Sequence, residues 1–376
     1  MSKPELVAMI RNEIKQNGPI PFAHFMEWAL YHPEYGYYLS PGEKIGLKGD
    51  YYTSSSVHPI FGHLIAKQLI QLITTLRDFG KEITLVEMGA GKGSLCHDIL
   101  HFIQKADPSL FKSLQYIIVE KSTRFATQQK ERLQPLFPDQ VRWEKHLPSG
   151  LTGVILSNEL VDAFSVHRLV VHQGSLQEVH VDVEKDHFVE RLLPLSTPAL
   201  SDYLQKLGVE ISKMVRIEVN LAALDWMREV GQALDQGYVL TIDYGYPADQ
   251  LYTQSRPQGT FLCYYGHTAH DNPYLHIGEQ DMTAHVDFTS LEQTGREVHL
   301  MPIGFTDQAH FLIGLGITNE MERLAKRMEE SDEMHRQFLA MKELISSMGK
   351  TYKVFLQGKN VSPPPLDGFQ WSRERP

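Results

Sequence analysis

The stretch Leu85-Val-Glu-Met-Gly-Ala-Gly-Lys-Gly-Ser-Leu95 decides the fold. An apolar run ends at Met88, glycines fall at 89, 91 and 93, and a helical pattern begins, which puts a strand, a tight turn and a helix N-terminus in succession. Glycine permits the turn and lets a ligand approach the backbone closely. The spacing is GxGxG, with Glu87 two positions before Gly89, and differs from the GxGxxG of the dinucleotide fingerprint. A glycine-rich turn that merely packs closely would read the same in isolation.

On the C-terminal side of the loop, helical segments at 95–104 and 123–137 alternate with short apolar runs at 114–120, 141–143 and 154–157. That alternation is the signature of βαβ units on a parallel sheet. Glu120 closes the second strand, 27 positions beyond Gly93. A carboxylate there accepts hydrogen bonds from both hydroxyls of an adenosine ribose. NAD and S-adenosylmethionine (SAM) share that ribose, so Glu120 does not choose between them. On the N-terminal side, Pro59 followed by Ile60, Leu64, Ile65, Leu69, Leu72, Ile73 and Leu76 predicts a long helix with one wide apolar stripe. It ends a helical region over 1–80 that is expected to pack on the core.

After Ser157 the rhythm breaks. Short alternating runs at 166–171, 177–183 and 187–193 predict an antiparallel meander, inserted over 164–210. Asn220 then caps a helix that Gly237 ends, and 238–244 is a buried strand. A second insertion over 245–287, rich in Tyr, His, Gly and Pro, reads as a long functional loop and substrate lid. The core, 81–361, closes with a strand at 297–303, a single charged amphipathic helix at 320–346 and a last strand at 351–356. The proline-rich tail, 362–376, is expected to be extended or disordered.

Composition narrows the function. Hydrophobic residues are 42% and charged residues 22% of 376, which excludes a disordered, collagen-like or coiled-coil chain and leaves one large α/β domain with additions or two domains. With 36 Lys+Arg against 46 Asp+Glu there is no overall basic surplus to neutralise phosphates, so no nucleic-acid partner is expected. Cys96 and Cys263 lie far apart and suit a reduced, cytoplasmic interior. Segment 64–76 carries Lys67, Gln68 and Gln71, so no membrane insertion is expected. His267 and His270 have HxxH spacing but lack a third ligand, and no metal is expected.

Six stretches together resemble the MidA-like family of class I SAM-dependent methyltransferases, whose mitochondrial members assist assembly of respiratory complex I. They are HisProGluTyrGlyTyrTyr (32–38), GlyAspTyrTyrThrSerSer (49–55), GluMetGlyAlaGlyLysGlySerLeu (87–95), SerAsnGluLeuValAspAla (157–163), IleAspTyrGlyTyr (242–246) and AspMetThrAlaHisValAspPhe (281–288). They span most of the chain in the family's order. SerSerSer (54–56) departs from the family's usual AlaProGlu-like stretch, so no carboxylate carries over to position 56. The resemblance implies an α/β, Rossmann-like methyltransferase fold with a seven-stranded, mostly parallel sheet, SAM as cofactor, and a protein substrate with arginine as the acceptor. Glu87, Gly89, Gly91, Gly93 and Glu120 are the expected cofactor residues. Asp50 and Thr53, in the polar-aromatic loop before the long helix, are expected to close over SAM, or else to cap that helix.

Methyl transfer from a sulfonium is an in-line displacement, so the protein mainly aligns a nucleophile and excludes water. A guanidinium is a poor nucleophile that holds its proton with a pKa above about 12. Carboxylates can orient it and take that proton. Asn158, Glu159 and Asp162 follow the fourth core strand and are the leading catalytic candidates; the alternative for the two acids is a charge pair at a helix N-terminus. Asp243 and Tyr244 end the next strand. His285, with Tyr264, Tyr265 and His267, is expected to wall the substrate, and Asp287 to cap the helix that begins at Phe288. Two other functions compete: a methyltransferase-fold assembly scaffold, and an NAD-dependent oxidoreductase, against which the GxGxG spacing counts. The oligomeric state is not legible.

Overall fold

Leu151–Asn158 is buried at all eight positions, as a central strand covered on both faces must be. It lies between Thr84–Met88 and Leu234–Tyr246, parallel to both. In space the seven strands run Met301–Asp307, Tyr352–Lys359, Leu234–Tyr246, Leu151–Asn158, Thr84–Met88, Gln115–Val119, Val141–Glu144. Numbered by their order along the sheet's own chain, they read 6-7-5-4-1-2-3. Tyr352–Lys359 is antiparallel to both its neighbours, so the sheet is mixed and mostly parallel, the class I methyltransferase arrangement. The structure, a computed structural model, describes residues 2–40, 54–77, 82–209, 216–253, 255–327, 331–362, 365–373 and 376.

Two units divide the chain. The sheet unit comprises residues 52–160, 227–244 and 292–376. Its core joins Phe61, Leu64, Ile65, Leu69, Leu72 and Ile73 of the Ile60–Leu76 helix to Leu85, Tyr116, Ile118, Val154, Leu156, Leu240 and Ile242 of the sheet. The apolar stripe of that helix is the face that meets the strands.

The second unit comprises residues 1–51, 161–226 and 245–291. The meander is present: His167–His172, Ser175–Glu184 and His187–Leu193 pair antiparallel, with Arg216–Val219 and Ile20–Pro21 added at the edges. The stretch 245–287 is less of a loop than its composition suggests. Leu262–Tyr265 pairs with Thr268–His270 and with Asp281–Thr283 in a three-stranded sheet. Phe22, Phe25 and Met26 of the Phe22–Tyr31 helix share one core with Val179, Val181, Phe261, Cys263 and Met282. The region read as 1–80 is therefore divided: its first helices belong with the two insertions, and Ile60–Leu76 with the sheet.

Other local readings need correction. Gly237 does not end a helix. It lies within Leu234–Tyr246 at φ +139°, in register with Gly153, where a Cβ would sit 1.9 Å from the Gly153 carbonyl oxygen; the close approach of the strands requires the glycine. The Phe288–Glu297 helix moves the sixth strand to Met301–Asp307. Segment 320–346 is two helices, Ile317–Ala325 and Asp332–Ile345, the second capped by Ser331, which accepts the Met334 amide. The tail packs: Leu366 and Phe369 enter the sheet unit's core, and Arg373 bridges to Phe305.

Candidate glycine-loop site

Thr84–Met88 delivers the chain to a turn in which Gly89, Gly91 and Gly93 have φ of +75°, +52° and +74° before the Ser94–Ala106 helix begins. Three left-handed residues within five positions are affordable only to glycine. Two of them also answer to the protein's own packing. A Cβ on Gly89 would lie 2.8 Å from Leu160 Cδ1, and one on Gly93 would lie 3.1 Å from Leu133 Cδ1. Close packing therefore accounts for two of the three glycines, and it leaves room for a cofactor cradle at the same turn.

Glu87 and Glu120 flank the loop. Glu87 is buried and accepts the Tyr116 hydroxyl at 2.7 Å. Burial pushes its carboxyl up to about 7, against the pull of Tyr116. Glu120 accepts the Ser122 amide at 2.8 Å and Gln129 Nε2 at 3.1 Å, and burial raises it too. Among the described residues, no cationic side chain is among the groups that shift either acid. Paired acids of this kind suit a cationic ligand, and SAM carries a sulfonium and an ammonium. A dinucleotide's pyrophosphate would add like charge.

Gln129 was not legible as a site residue. Its side-chain amide donates to the Gly91 carbonyl at 2.8 Å and to Glu120, and its oxygen accepts Trp143 Nε1 at 3.1 Å. One fully buried side chain thereby ties the loop, Glu120 and the third strand. A sequence signal exists in the four-residue spacing of Phe125, Gln129 and Leu133, which puts an amide on the buried stripe of the Thr123–Leu133 helix.

At the end of the fourth strand, Glu159 has φ +51°, a conformation few non-glycine residues adopt. Its carboxylate accepts the Ser54 amide at 2.7 Å, the Tyr352 hydroxyl at 3.0 Å and Asn158 Nδ2 at 3.2 Å. The expected helix after Glu159 is absent, because 159–166 is turn and bend. The amide that Glu159 caps is instead the first of the short Ser54–Val57 helix. Asn158 Oδ1 is buried without a partner among the described residues. Buried Asp243 accepts the Leu160 amide at 3.1 Å and its neighbour Tyr244's at 2.9 Å, which fixes the turn beside Gly89.

Asp162 and His285 belong to the second unit. The Asp162 carbonyl accepts the Ala284 amide at 3.0 Å, one residue from His285, whose own amide donates to Thr260 Oγ1 at 3.0 Å. The His285 ring lies tilted 5.6 Å from that of Tyr246. Asp287 caps its helix as expected, accepting the Thr289 and Ser290 amides at 3.0 and 3.2 Å. Asp50 and Thr53 lie outside the described residues. Among the described residues no His, Cys, Asp and Glu cluster suits a metal ion, and no helix is long and apolar enough to cross a membrane.

Comparison with known proteins bears on the family, the fold and the cofactor. Residues 64–306 match the family described as "Putative S-adenosyl-L-methionine-dependent methyltransferase". The chain is 28% identical to the mitochondrial protein arginine methyltransferase NDUFAF7 homolog of Drosophila melanogaster, over 97% of this chain and 87% of that one. It is 29% identical to the mitochondrial protein arginine methyltransferase NDUFAF7 of Homo sapiens, over 91% and 81%. A solved protein from Burkholderia thailandensis bound to S-adenosyl-homocysteine superposes with a TM-score of 0.89 at 28% identity, covering 99% of this chain and 98% of that one. The cofactor is S-adenosyl-L-methionine, and the NAD alternative falls with that. The chain belongs to this family of S-adenosyl-L-methionine-dependent methyltransferases.

Proposed function

We propose that the chain transfers the SAM methyl group to an arginine side chain of a protein substrate. The likeness to relatives named protein arginine methyltransferases, along nearly the whole chain, carries this reading. The chemistry of the second unit supports it. Asp162 and Asp281 are buried there, Tyr38 donates to Asp281 Oδ1 at 2.6 Å, and Tyr31 stacks on Tyr38 at 5.4 Å. Burial first, then the charge of Asp281, with a smaller effect of Asp162, holds the Tyr31 and Tyr264 hydroxyls above the usual tyrosine range. Carboxylates beside aromatic faces suit a planar cation.

When bound, SAM supplies a methyl group already activated by its positive sulfur. The rest falls to the chain: Glu87, Gly89, Gly91, Gly93 and Glu120 hold the cofactor, and Asn158 and Glu159 shape the end of the fourth strand. Asp162 orients the guanidinium and accepts the proton that its nitrogen loses as the N–C bond forms. His285 contributes to the acceptor wall. The test is radiolabelled transfer from SAM to whole-cell protein of a deletion strain, followed by hydrolysis and mass spectrometry. Label on methylarginine is the expected result. Label on another side chain, or only in the low-mass fraction, overturns the arginine reading.

A further inference from the structure

Glu87 is 2% exposed, on a sheet face whose neighbouring positions are Leu85, Tyr116, Ile118 and Leu156. Its Oε2 takes the Tyr116 hydroxyl at 2.7 Å. That hydroxyl also meets the Cys96 thiol, which the Ser94–Ala106 helix lays over the same face. The other charged group acting on Glu87 is Glu120, which repels it; Arg132, Asp98 and Glu87 itself act on Cys96. A carboxylate in such surroundings is costly unless it stays protonated or a positive charge arrives. Nothing in the packing of the sheet calls for an acid at this position, since its partners in register on the two neighbouring strands are Ile118 and Leu156, both apolar.

We propose that Glu87, Tyr116 and Cys96 form a proton-holding cluster beneath the glycine loop, and that binding of the cationic cofactor drives the Glu87 proton out to solvent. The inference rests on the cofactor and not on the acceptor proposed above. Glu87 lies two residues before Gly89, so the ligand's positive charge arrives beside it and favours the ionised carboxylate, and the coupling is reciprocal. Burial keeps Tyr116 and Cys96 protonated, far above their ordinary ranges, which leaves Glu87, near 7, as the member that titrates. Tyr116 remains a donor to it in both states. One proton leaves each protonated molecule that binds cofactor, and no covalent bond to carbon changes.

Calorimetric titration of the full chain with SAM, in buffers of different ionisation enthalpy, counts that proton. Near pH 7 the parent should release about half a proton per SAM, and its affinity should be about tenfold weaker at pH 6 than at pH 8. Glu87→Gln should abolish the tenfold ratio. Tyr116→Phe removes a donor that favours the carboxylate, so its midpoint should move to higher pH. Binding without proton release in the parent, or a tenfold ratio that survives in Glu87→Gln, overturns the proposal and leaves the cofactor assignment standing. No SAM heat at any pH overturns both. Should Glu87→Gln fail to fold, an unshifted midpoint in Tyr116→Phe overturns the proposal on its own.

Discussion

The Leu160 side chain stands where a side chain on Gly89 would have to go, with its Cδ1 2.8 Å from the position of the missing Cβ. Leu160 is held there by its amide, which donates to the buried carboxylate of Asp243. An acid at the end of the fifth strand thus fixes, through one leucine, the wall against the first glycine of the loop. Gly89→Ala should destabilise the protein by about 1–3 kcal/mol, from its left-handed backbone and from the clash together. Leu160→Ala in the same chain should recover the clash contribution and leave the backbone contribution. Denaturant unfolding of the four proteins of the cycle measures this; an equal loss in both backgrounds would show that the contact with Leu160 adds nothing.

Gly91→Val should abolish SAM binding while the chain stays folded, since a branched side chain is set at φ +52° in the middle of the loop. Glu120→Ala should weaken binding by about 1.5–3 kcal/mol, the range for a hydrogen bond to a charged group. Gln129→Leu should weaken it as well, because it releases the Gly91 carbonyl and Glu120 at once. SAM calorimetry with circular dichroism as the folding control decides. Parental affinity in all three would mean the cofactor site is elsewhere.

Asp287 gives a stability prediction with a definite sign. Burial raises its carboxyl to about 6, more than the Tyr203 hydroxyl and the helix amides lower it. A folded-state value above the unfolded one of 3.8 favours the protonated group. Its contribution is therefore fully present below about 4 and is lost as pH rises through 6. Asp287→Asn keeps the acceptor oxygen that caps the helix, so the variant should gain on the parent by up to about 3 kcal/mol between pH 4 and pH 7. Melting curves across that range check it. A parallel pH dependence in parent and variant would clear Asp287 of the effect.

What could be read in the sequence was what repeats locally. The strand, glycine turn and helix at 84–106, the Asn220 cap and the meander all follow from short-range patterns, and the structure has each of them. What failed depended on partners distant in the chain. Gly237 reads as a helix stop until Gly153 lies beside it. The spacing of Gln129 puts it on a buried stripe, but its partners Gly91, Glu120 and Trp143 come from three other segments. Tyr31, Tyr38 and Asp281 come from segments over two hundred positions apart, and no window of sequence brings them together.

The last prediction separates a strut from a catalyst at the two acids after the fourth strand. Glu159 has its carboxylate engaged by Ser54, Tyr352 and Asn158 in a strained backbone position, the pattern of a residue that holds other elements in place. Glu159→Gln leaves one acceptor oxygen for those donors and should cost about 1–2 kcal/mol of stability. Tyr352→Phe, which removes one of the donors and no charge, should reproduce part of that loss. Asp162→Asn should behave differently: stability and SAM affinity change little, while single-turnover methyl transfer falls by about 10²-fold or more, as the loss of a positioned base does. If Tyr352→Phe leaves both stability and transfer untouched, the hydroxyl is no part of a strut. Unchanged transfer in Asp162→Asn would remove that residue from the chemistry. Lost transfer together with full rescue of a deletion strain would show that the cell needs the chain as an assembly scaffold and not as a methyltransferase.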